Sequence, residues 1–394
     1  MWKEQPVKLL HIELSSHCNA ACPFCPRFLQ GSRKVREDLR LQSISLNNFS
    51  TWFDKDALQK MSRILYCGTH GDPAMAKDAY EIFSYVKDCN PNLWQFVHTN
   101  GGLRKPEWWA KLGALFNEHN FRVTFSIDGL EDTNHLYRRN VDWNLLMENV
   151  QAFTGAGGKA LWEFLVFKHN EHQLKDSEEL SKKLGFEQIV FKRPLGFNNL
   201  SNTGLRARGA YDKNGQLEHK LFPATNPDYV NLDGPLNEAV EDSVPLSFDP
   251  ASMQRFKIES MKRKSENFRD DVIPIHQEYL LELDDMKINC KSNDPKYGNE
   301  VYVSANGIVF PCCYVGTRVD SDIDLYEDMQ LREHMNHMGF DKFSLHNQPL
   351  QKIIDSGILD SVFTNSWDKD SIKCGKMAYC AQTCGAKSEV DRIY

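Results

Sequence analysis

Three cysteines, Cys18, Cys22 and Cys25, fall in the short stretch Cys18-Asn19-Ala20-Ala21-Cys22-Pro23-Phe24-Cys25-Pro26. On a helix this spacing would put all three thiols on one face. Pro23 and Pro26 speak against a helix, because each removes a backbone donor and crowds the preceding turn. A tight loop that folds three thiolates around one object is expected instead. Close thiolates repel one another unless a cation neutralises them, so the object is read as a metal centre. A closed structural zinc or iron–sulfur site takes four protein ligands. Three local cysteines leave one position open, where a substrate can bind. Two other readings stand beside this one: a zinc ion completed by His17, and three unrelated core cysteines.

The elements that must position this loop follow a simple pattern. Residues 7–14 read as a β-strand running straight into it. A helix is expected over 49–61, with Phe49, Trp52, Phe53 and Leu58 buried. Further strands are expected at 63–67, 94–98, 121–127, 160–167 and 187–192. Helices are expected at 76–88, 106–118, 142–154 and 172–184. Strict β-α alternation calls for a parallel sheet with right-handed crossovers. Six units are too few for a closed eight-fold barrel, so the expected fold class is α/β, a partial, TIM-like (β/α)6 barrel. The cysteine loop, Gly71-Asp72-Pro73, Asn100-Gly101 and Asp128-Gly129 all lie at the carboxyl ends of successive strands. That edge is where parallel α/β folds place their active sites. Ordinary turn chemistry favours the same residue types there.

With those motifs in place, the Cys-x3-Cys-x2-Cys loop, with Phe24 before its third cysteine, resembles the signature of the radical S-adenosylmethionine (radical SAM) enzymes. The resemblance implies a [4Fe–4S] cluster on Cys18, Cys22 and Cys25, with SAM chelating the fourth iron. It implies that Gly71 and Asp72 hold the amino group of SAM and that the Phe24 backbone contacts adenine. Asn100, Ser126 and Asp128 are then candidates for the ribose or carboxylate. Ser126-Ile127-Asp128-Gly129 followed by His135 and Arg139 resembles the subfamily with extra C-terminal clusters, and brings Arg139 in as a cofactor contact. Asp72 departs from the commoner Glu, and His135 sits one residue later than usual.

Residues 194–289 break the alternation and are expected to form a lid, a substrate-binding insertion or a linker. Within them, 252–268 is expected to be helical, with a solvated basic face from Lys257 to Lys264, and 275–283 is a short apolar stretch. Beyond them come Cys290, Cys312, Cys313, Cys374, Cys380 and Cys384. Residues 301–310 read as a β-hairpin turning at Asn306-Gly307. This arrangement resembles the SPASM or twitch extension of radical SAM enzymes, a hairpin plus a helix. Its full form uses about seven cysteine ligands for two clusters. One auxiliary cluster, of the [4Fe–4S] type, is therefore expected on Cys290, Cys312, Cys384 and one of Cys374 or Cys380. Cys313 is the alternative to Cys312, and a four-thiolate zinc knuckle is the alternative to the cluster. Cys67 and Cys89 are expected to be incidental. The domains are then 1–193, the partial barrel; 194–289, the insertion; and 290–394, the auxiliary-cluster domain.

The bulk composition agrees with a soluble globular protein of 394 residues, 41% hydrophobic and 26% charged. A formal net charge of −7 disfavours non-specific nucleic-acid binding. No run of roughly 20 apolar residues is present, so no membrane span is expected. Eleven cysteines with no export signal argue for metal ligation in a reducing cytoplasm. With the first strand beginning near residue 7, no leader-peptide-binding domain is expected ahead of the barrel. The resemblance implies reductive cleavage of SAM to a 5′-deoxyadenosyl radical and hydrogen abstraction from a peptide or small-molecule substrate, in an oxidation or cross-linking. An electron donor such as flavodoxin or ferredoxin is implied as a partner. The alternatives are peptide epimerisation, with Cys313 or Cys67 as hydrogen donor, and a non-catalytic iron–sulfur or zinc protein.

Overall fold

A computed structural model describes residues 2–37, 39–117, 120–194, 197, 207–229, 247, 249, 283–290, 292–294, 298–319, 331 and 334–385. The expected helix over 252–268, its basic run and nearly all of the apolar stretch 275–283 lie outside the described residues. The chain divides into two compact units: Met1–Ile12, Asn47–Ile64 and Phe256–Tyr394 form one; Glu13–Leu46 and Leu65–Arg255 form the other.

The fold class is α/β with a mostly parallel sheet. In chain order the first elements are β1 (Val7–Ile12), α1 (Leu46–Trp52), α2 (Lys55–Lys60), β2 (Arg63–Tyr66), α3 (Ala79–Cys89), β3 (Trp94–Thr99), α4 (Pro106–Phe116), β4 (Phe121–Ser126), α5 (Asn134–Tyr137), α6 (Trp143–Gly155), β5 (Ala160–Leu165), α7 (Leu174–Lys183) and β6 (Gln188–Lys192). Where one helix was expected over 49–61 there are two. Asp54 is extended and its carboxylate accepts a bond from the Ala57 backbone N–H, so it caps a new helix rather than continuing the first.

In the second unit β3–β4, β4–β5 and β5–β6 pair in parallel. One face of these strands is packed by helices: Phe125 lies 5.3 Å from Trp109 of α4 and 5.9 Å from Phe153 of α6, ring to ring. Because successive strand residues point to opposite faces, Ser126 faces the other way. Glu163 is in register with Ser126, so it shares that face. The interval after β6 holds an antiparallel hairpin that sequence patterning did not locate, β7 (Arg208–Tyr211) with β8 (Leu217–Leu221).

In the first unit the strands are β1, β9 (Asn293–Asp294), β10 (Gly298–Val303) and β11 (Val309–Phe310). The hairpin expected at 301–310 is β10–β11, with Tyr302 opposite Phe310. Gly307 takes φ +74°, a left-handed conformation the turn requires and glycine adopts without penalty. β10 also pairs in parallel with β1, Leu10 opposite Val301 and Ile12 opposite Val303. That long-range pairing has no local sequence signal. Among the described residues no helix is long and apolar enough to cross a membrane.

Candidate metal and cofactor sites

The cysteine loop leaves β1 through Glu13, whose buried carboxylate accepts bonds from the backbone N–H groups of His70 (2.7 Å) and Gly71 (2.9 Å). Burial would raise the Glu13 pKa. The interactions with His70 and the backbone N–H bonds outweigh it and hold the group below its ordinary value. Glu13 thus fastens the loop after β2 to the start of the cysteine loop. The two approach so closely that a Cβ on Gly71 would lie 1.9 Å from the Ser15 carbonyl oxygen. Only glycine fits there without displacement.

Around the thiols the polar side chains form two hydrogen-bonded groups, one on Asn100 and one on Arg138. Asn100 donates through Nδ2 to Asp72 (2.9 Å) and Asn19 (2.8 Å), with the Cys18 Sγ at 3.6 Å. Asn19 in turn donates to the Gly102 carbonyl at 3.0 Å. Arg138 donates to Asp128 at 2.5 Å and reaches the Cys22 Sγ at 3.7 Å. Asp128 also accepts from the Leu165 N–H, which ties the end of β4 to β5. Phe24 seats its ring among Tyr137, Phe167 and Phe197, at 5.6, 5.9 and 5.0 Å between centroids.

Asp72 and Arg139 are each bonded within the chain. The Asp72 carboxylate accepts from Ala74 N, Thr99 Oγ1, Asn100 N and Asn100 Nδ2. These fill the lone pairs a carboxylate offers, so Asp72 braces the rim. Arg139 acts on the Cys22 thiol only through its charge, with no hydrogen bond to it among the described residues. Its guanidinium donates to the carbonyls of Ala21, Tyr211, Gly31 and Ser32 and to the Glu218 carboxylate. All five guanidinium donors are accounted for. Arg139 thus holds the cysteine loop to the β7–β8 hairpin, while its neighbour Arg138 reaches the Cys22 Sγ.

The thiols are electrostatically stressed as they stand. Burial first, then the charges of Asp72, Cys22 and Cys25, push the Cys18 thiol up. Cys25 is pushed up to about 12 by burial and then by Cys22. Burial also raises Cys22, opposed by Arg138. Burial works against the charge of Arg138, but Asp128 and then Cys22 outweigh it and raise its pKa. Three such groups become thiolates readily only when cations take them. Among the described residues no three His, Cys, Asp or Glu side chains could hold a single metal ion as placed. An iron–sulfur cube asks for something else, since each thiolate binds a different iron. The donor set fits that demand.

On the strand face that carries Ser126, which is half-buried, Glu163 accepts from the Lys192 ammonium at 2.5 Å, with His98 Nδ1 at 3.8 Å. Sequence patterning passed over Glu163 and Lys192. Their signal was a charged residue at an alternating position in an expected strand.

A second set of thiols lies in the first unit. The helix Ala378–Cys384 carries Cys380 and Cys384 four residues apart, hence on one face. Asn289 N–H donates to the Cys384 carbonyl at 2.8 Å, which draws Cys290 to that helix. The β10–β11 hairpin delivers Cys312 just before the helix Cys313–Val319. Cys290, Cys312, Cys380 and Cys384 border one small cavity with Tyr314, Tyr379 and Trp367. Cys313 and Cys374 are not in its lining. Cys374 is exposed, in the turn Ile372–Cys374. Cys290 is raised by its bond with Cys384 and by burial, and Cys312 by burial and then Cys313. Cys380 is pushed up to about 12 by burial and then Cys384, with the Trp367 indole N–H pulling the other way. The indole Nε1 is buried, with no hydrogen-bond partner among the described residues. Four thiols and an unspent donor around a cavity fit a closed four-thiolate cluster. All eleven cysteines are free of disulfides.

Residues 12–180 match the model of the radical SAM superfamily. Over 146 residues the chain is 26% identical to a cysteine-type anaerobic sulfatase-maturating enzyme of Clostridium novyi, covering 35% of this chain and 37% of that one. Over 183 residues it is 27% identical to an AdoMet-dependent heme synthase of Nitratidesulfovibrio vulgaris, covering 45% and 46%. The chain therefore spans less than half the length of either curated relative. Among solved structures, Streptococcus suis SuiB bound to S-adenosylmethionine aligns with a TM-score of 0.47 and 13% identity, over 96% of this chain and 73% of that one. The family match falls on the cysteine loop and the β-α units behind it, so residues 12–180 are similar to the radical SAM superfamily, whose members use a [4Fe–4S] cluster and SAM.

Proposed function

We propose that the chain is a radical SAM enzyme that cleaves SAM reductively and abstracts hydrogen from a peptide or small-molecule substrate. The observation that carries this reading is a loop with three buried or half-buried thiols, edged by Asn100 and Arg138, at the carboxyl end of β1. When bound, the cluster and SAM together supply one electron and a 5′-deoxyadenosyl radical. The chain's own groups do the positioning. Cys18, Cys22 and Cys25 hold the cluster. Arg138 offsets the negative charge that collects at Cys22, and Asn100 offers an N–H to the Cys18 sulfur. Phe24, wedged among three rings, fixes the backbone that would meet the adenine. Ser126 is offered to the ribose from the sheet face opposite the one that α4 and α6 pack. Gly71 keeps the neighbouring loop close enough for its backbone to reach the amino group of SAM, with Asp72 bracing that loop. The protein's share is orientation and exclusion of water, while the cofactor carries the difficult chemistry.

The C-terminal part is read as a twitch-type extension with one auxiliary [4Fe–4S] cluster on Cys290, Cys312, Cys380 and Cys384, and the division at 193/194 and 289/290 belongs to the same proposal. The substrate stays at the level of class. By their names, one curated relative matures a sulfatase and the other makes heme, so both a polypeptide and a small molecule lie within reach of the fold. A flavodoxin or ferredoxin is the proposed electron donor.

The test is anaerobic reconstitution with iron and sulfide, followed by SAM and dithionite. Wild type is expected to yield methionine and 5′-deoxyadenosine, and Cys22→Ala to yield neither. Zinc at the loop, or product from Cys22→Ala equal to wild type, would end this reading.

A further inference from the structure

Trp367 borders the four-thiol cavity with its indole Nε1, which pulls on the Cys380 thiol beside it but makes no well-formed hydrogen bond among the described residues. The indole Nε1 is buried and has no hydrogen-bond partner among the described residues. A buried N–H left unpaired costs about 1–3 kcal/mol, so native structures rarely tolerate one unless something else occupies the space it faces. The ring is held rather than adrift: it packs edge-on against Trp2, 5.8 Å between centroids and 64° between planes. It also packs with Cys380 and Cys384 against a cluster of buried Ile288, Ile372, Ala378 and Ala381. A phenylalanine would serve such packing equally well. The nitrogen needs a different reason.

We propose that the Trp367 indole N–H donates a hydrogen bond to a sulfur of the auxiliary cluster, at or beside the Cys380 thiolate, and raises that cluster's reduction potential. The inference rests on the reading that Cys290, Cys312, Cys380 and Cys384 hold a cluster. The physical ground is direct. A donor aimed at sulfur stabilises the reduced, more negative form more than the oxidised one. Indole is suited to the task because it donates only and has no basic site to protonate. Tyr314 and Tyr379 line the same cavity, but Tyr379 already has Arg318 at its ring, 5.0 Å from the centroid. The Trp367 Nε1 is a buried donor of this lining with no hydrogen-bond partner among the described residues.

The experiment is a redox titration of the reconstituted full-length chain, followed by electron paramagnetic resonance, comparing wild type with Trp367→Phe. The variant is expected to lower the midpoint potential of the auxiliary cluster alone, raising its oxidised-to-reduced ratio at fixed potential about tenfold, or ~59 mV for one electron. The cluster on Cys18, Cys22 and Cys25 serves as the internal reference and should not shift. A second measurement guards against a misfolded variant. In wild type with ¹⁵N-labelled indole, the reduced auxiliary cluster should show hyperfine coupling to that nitrogen and to an exchangeable proton. Uptake of both clusters with an unmoved potential and no such coupling overturns this inference alone. Uptake of only the N-terminal cluster overturns the auxiliary-cluster reading and this inference with it.

Discussion

The two thiol sites are built on opposite principles. The N-terminal three stand in a polar frame. Asn100, Asp72, Thr99 and Asn19 are linked by hydrogen bonds, and Arg138 and Asp128 by an ion pair. The C-terminal four stand in an apolar one, with helix Ala378–Cys384 packed on Leu283, Ile288 and Ile372 and with Trp367 beside it. The first frame places charge and donors next to the sulfurs and supplies three thiols. The second supplies four thiols and a buried indole N–H. A site that must admit a polar cofactor needs directional groups that outlast its arrival. A site closed by four thiolates is served by a dry wall.

That contrast can be broken most decisively at the ligands. Cys380→Ser is expected to remove the auxiliary cluster and about four irons per chain, whereas Cys374→Ser should leave iron content unchanged. Iron analysis and absorbance after reconstitution check this, and equal losses from both would return the choice to Cys374. Next in size is Arg138→Gln, which leaves the Asp128 carboxylate buried without its cation. It should cost about 3 kcal/mol and impair loading of the N-terminal site, with the C-terminal site untouched. Denaturant unfolding with cluster quantitation reads both effects.

Arg139→Lys should be smaller, about 2 kcal/mol, because a lysine supplies three donors where five are used. It should spare the spectrum and SAM cleavage of the folded enzyme. A spectral change equal to that of Arg138→Gln would place Arg139 at the cofactor. The smallest effect concerns Glu13, whose depressed pKa contributes stability above its ordinary value near 4.5 that is lost as pH falls through the folded value. The wild type should therefore lead Glu13→Gln by about 1 kcal/mol at pH 7, with the margin shrinking below pH 4.5 in denaturant titrations. A margin that grew on acidification would contradict the lowered pKa.

The legible parts of this protein are those written in neighbouring residues. The β-α alternation, the loop made by Pro23 and Pro26, and the Asn306-Gly307 turn each depend on a few adjacent side chains, and sequence patterning located them. The helix expected over 49–61 failed for a related reason, since apolar spacing outweighed the capping signal of Asp54 that divides it. Arg138 and Arg139 are consecutive and chemically alike. Which one meets a thiol turns on where the β7–β8 hairpin lies, and that hairpin falls in a stretch whose composition reads as loop. Cys374 and Cys380 pose the same problem. Both precede Cys384, but only Cys380 shares its helix face.

By itself the sequence determined which residues could bind metal, their local spacing, and the strand ends on which the polar motifs fall, because turn and strand preferences act over a few bonds. Tertiary structure alone decided that β10 lies beside β1, that Arg139 is consumed by four carbonyls and a carboxylate, and that the Trp367 nitrogen borders the thiols with no hydrogen-bond partner among the described residues. Those outcomes are set by which buried groups are satisfied by residues tens to hundreds of positions away, and no short window of sequence carries that information.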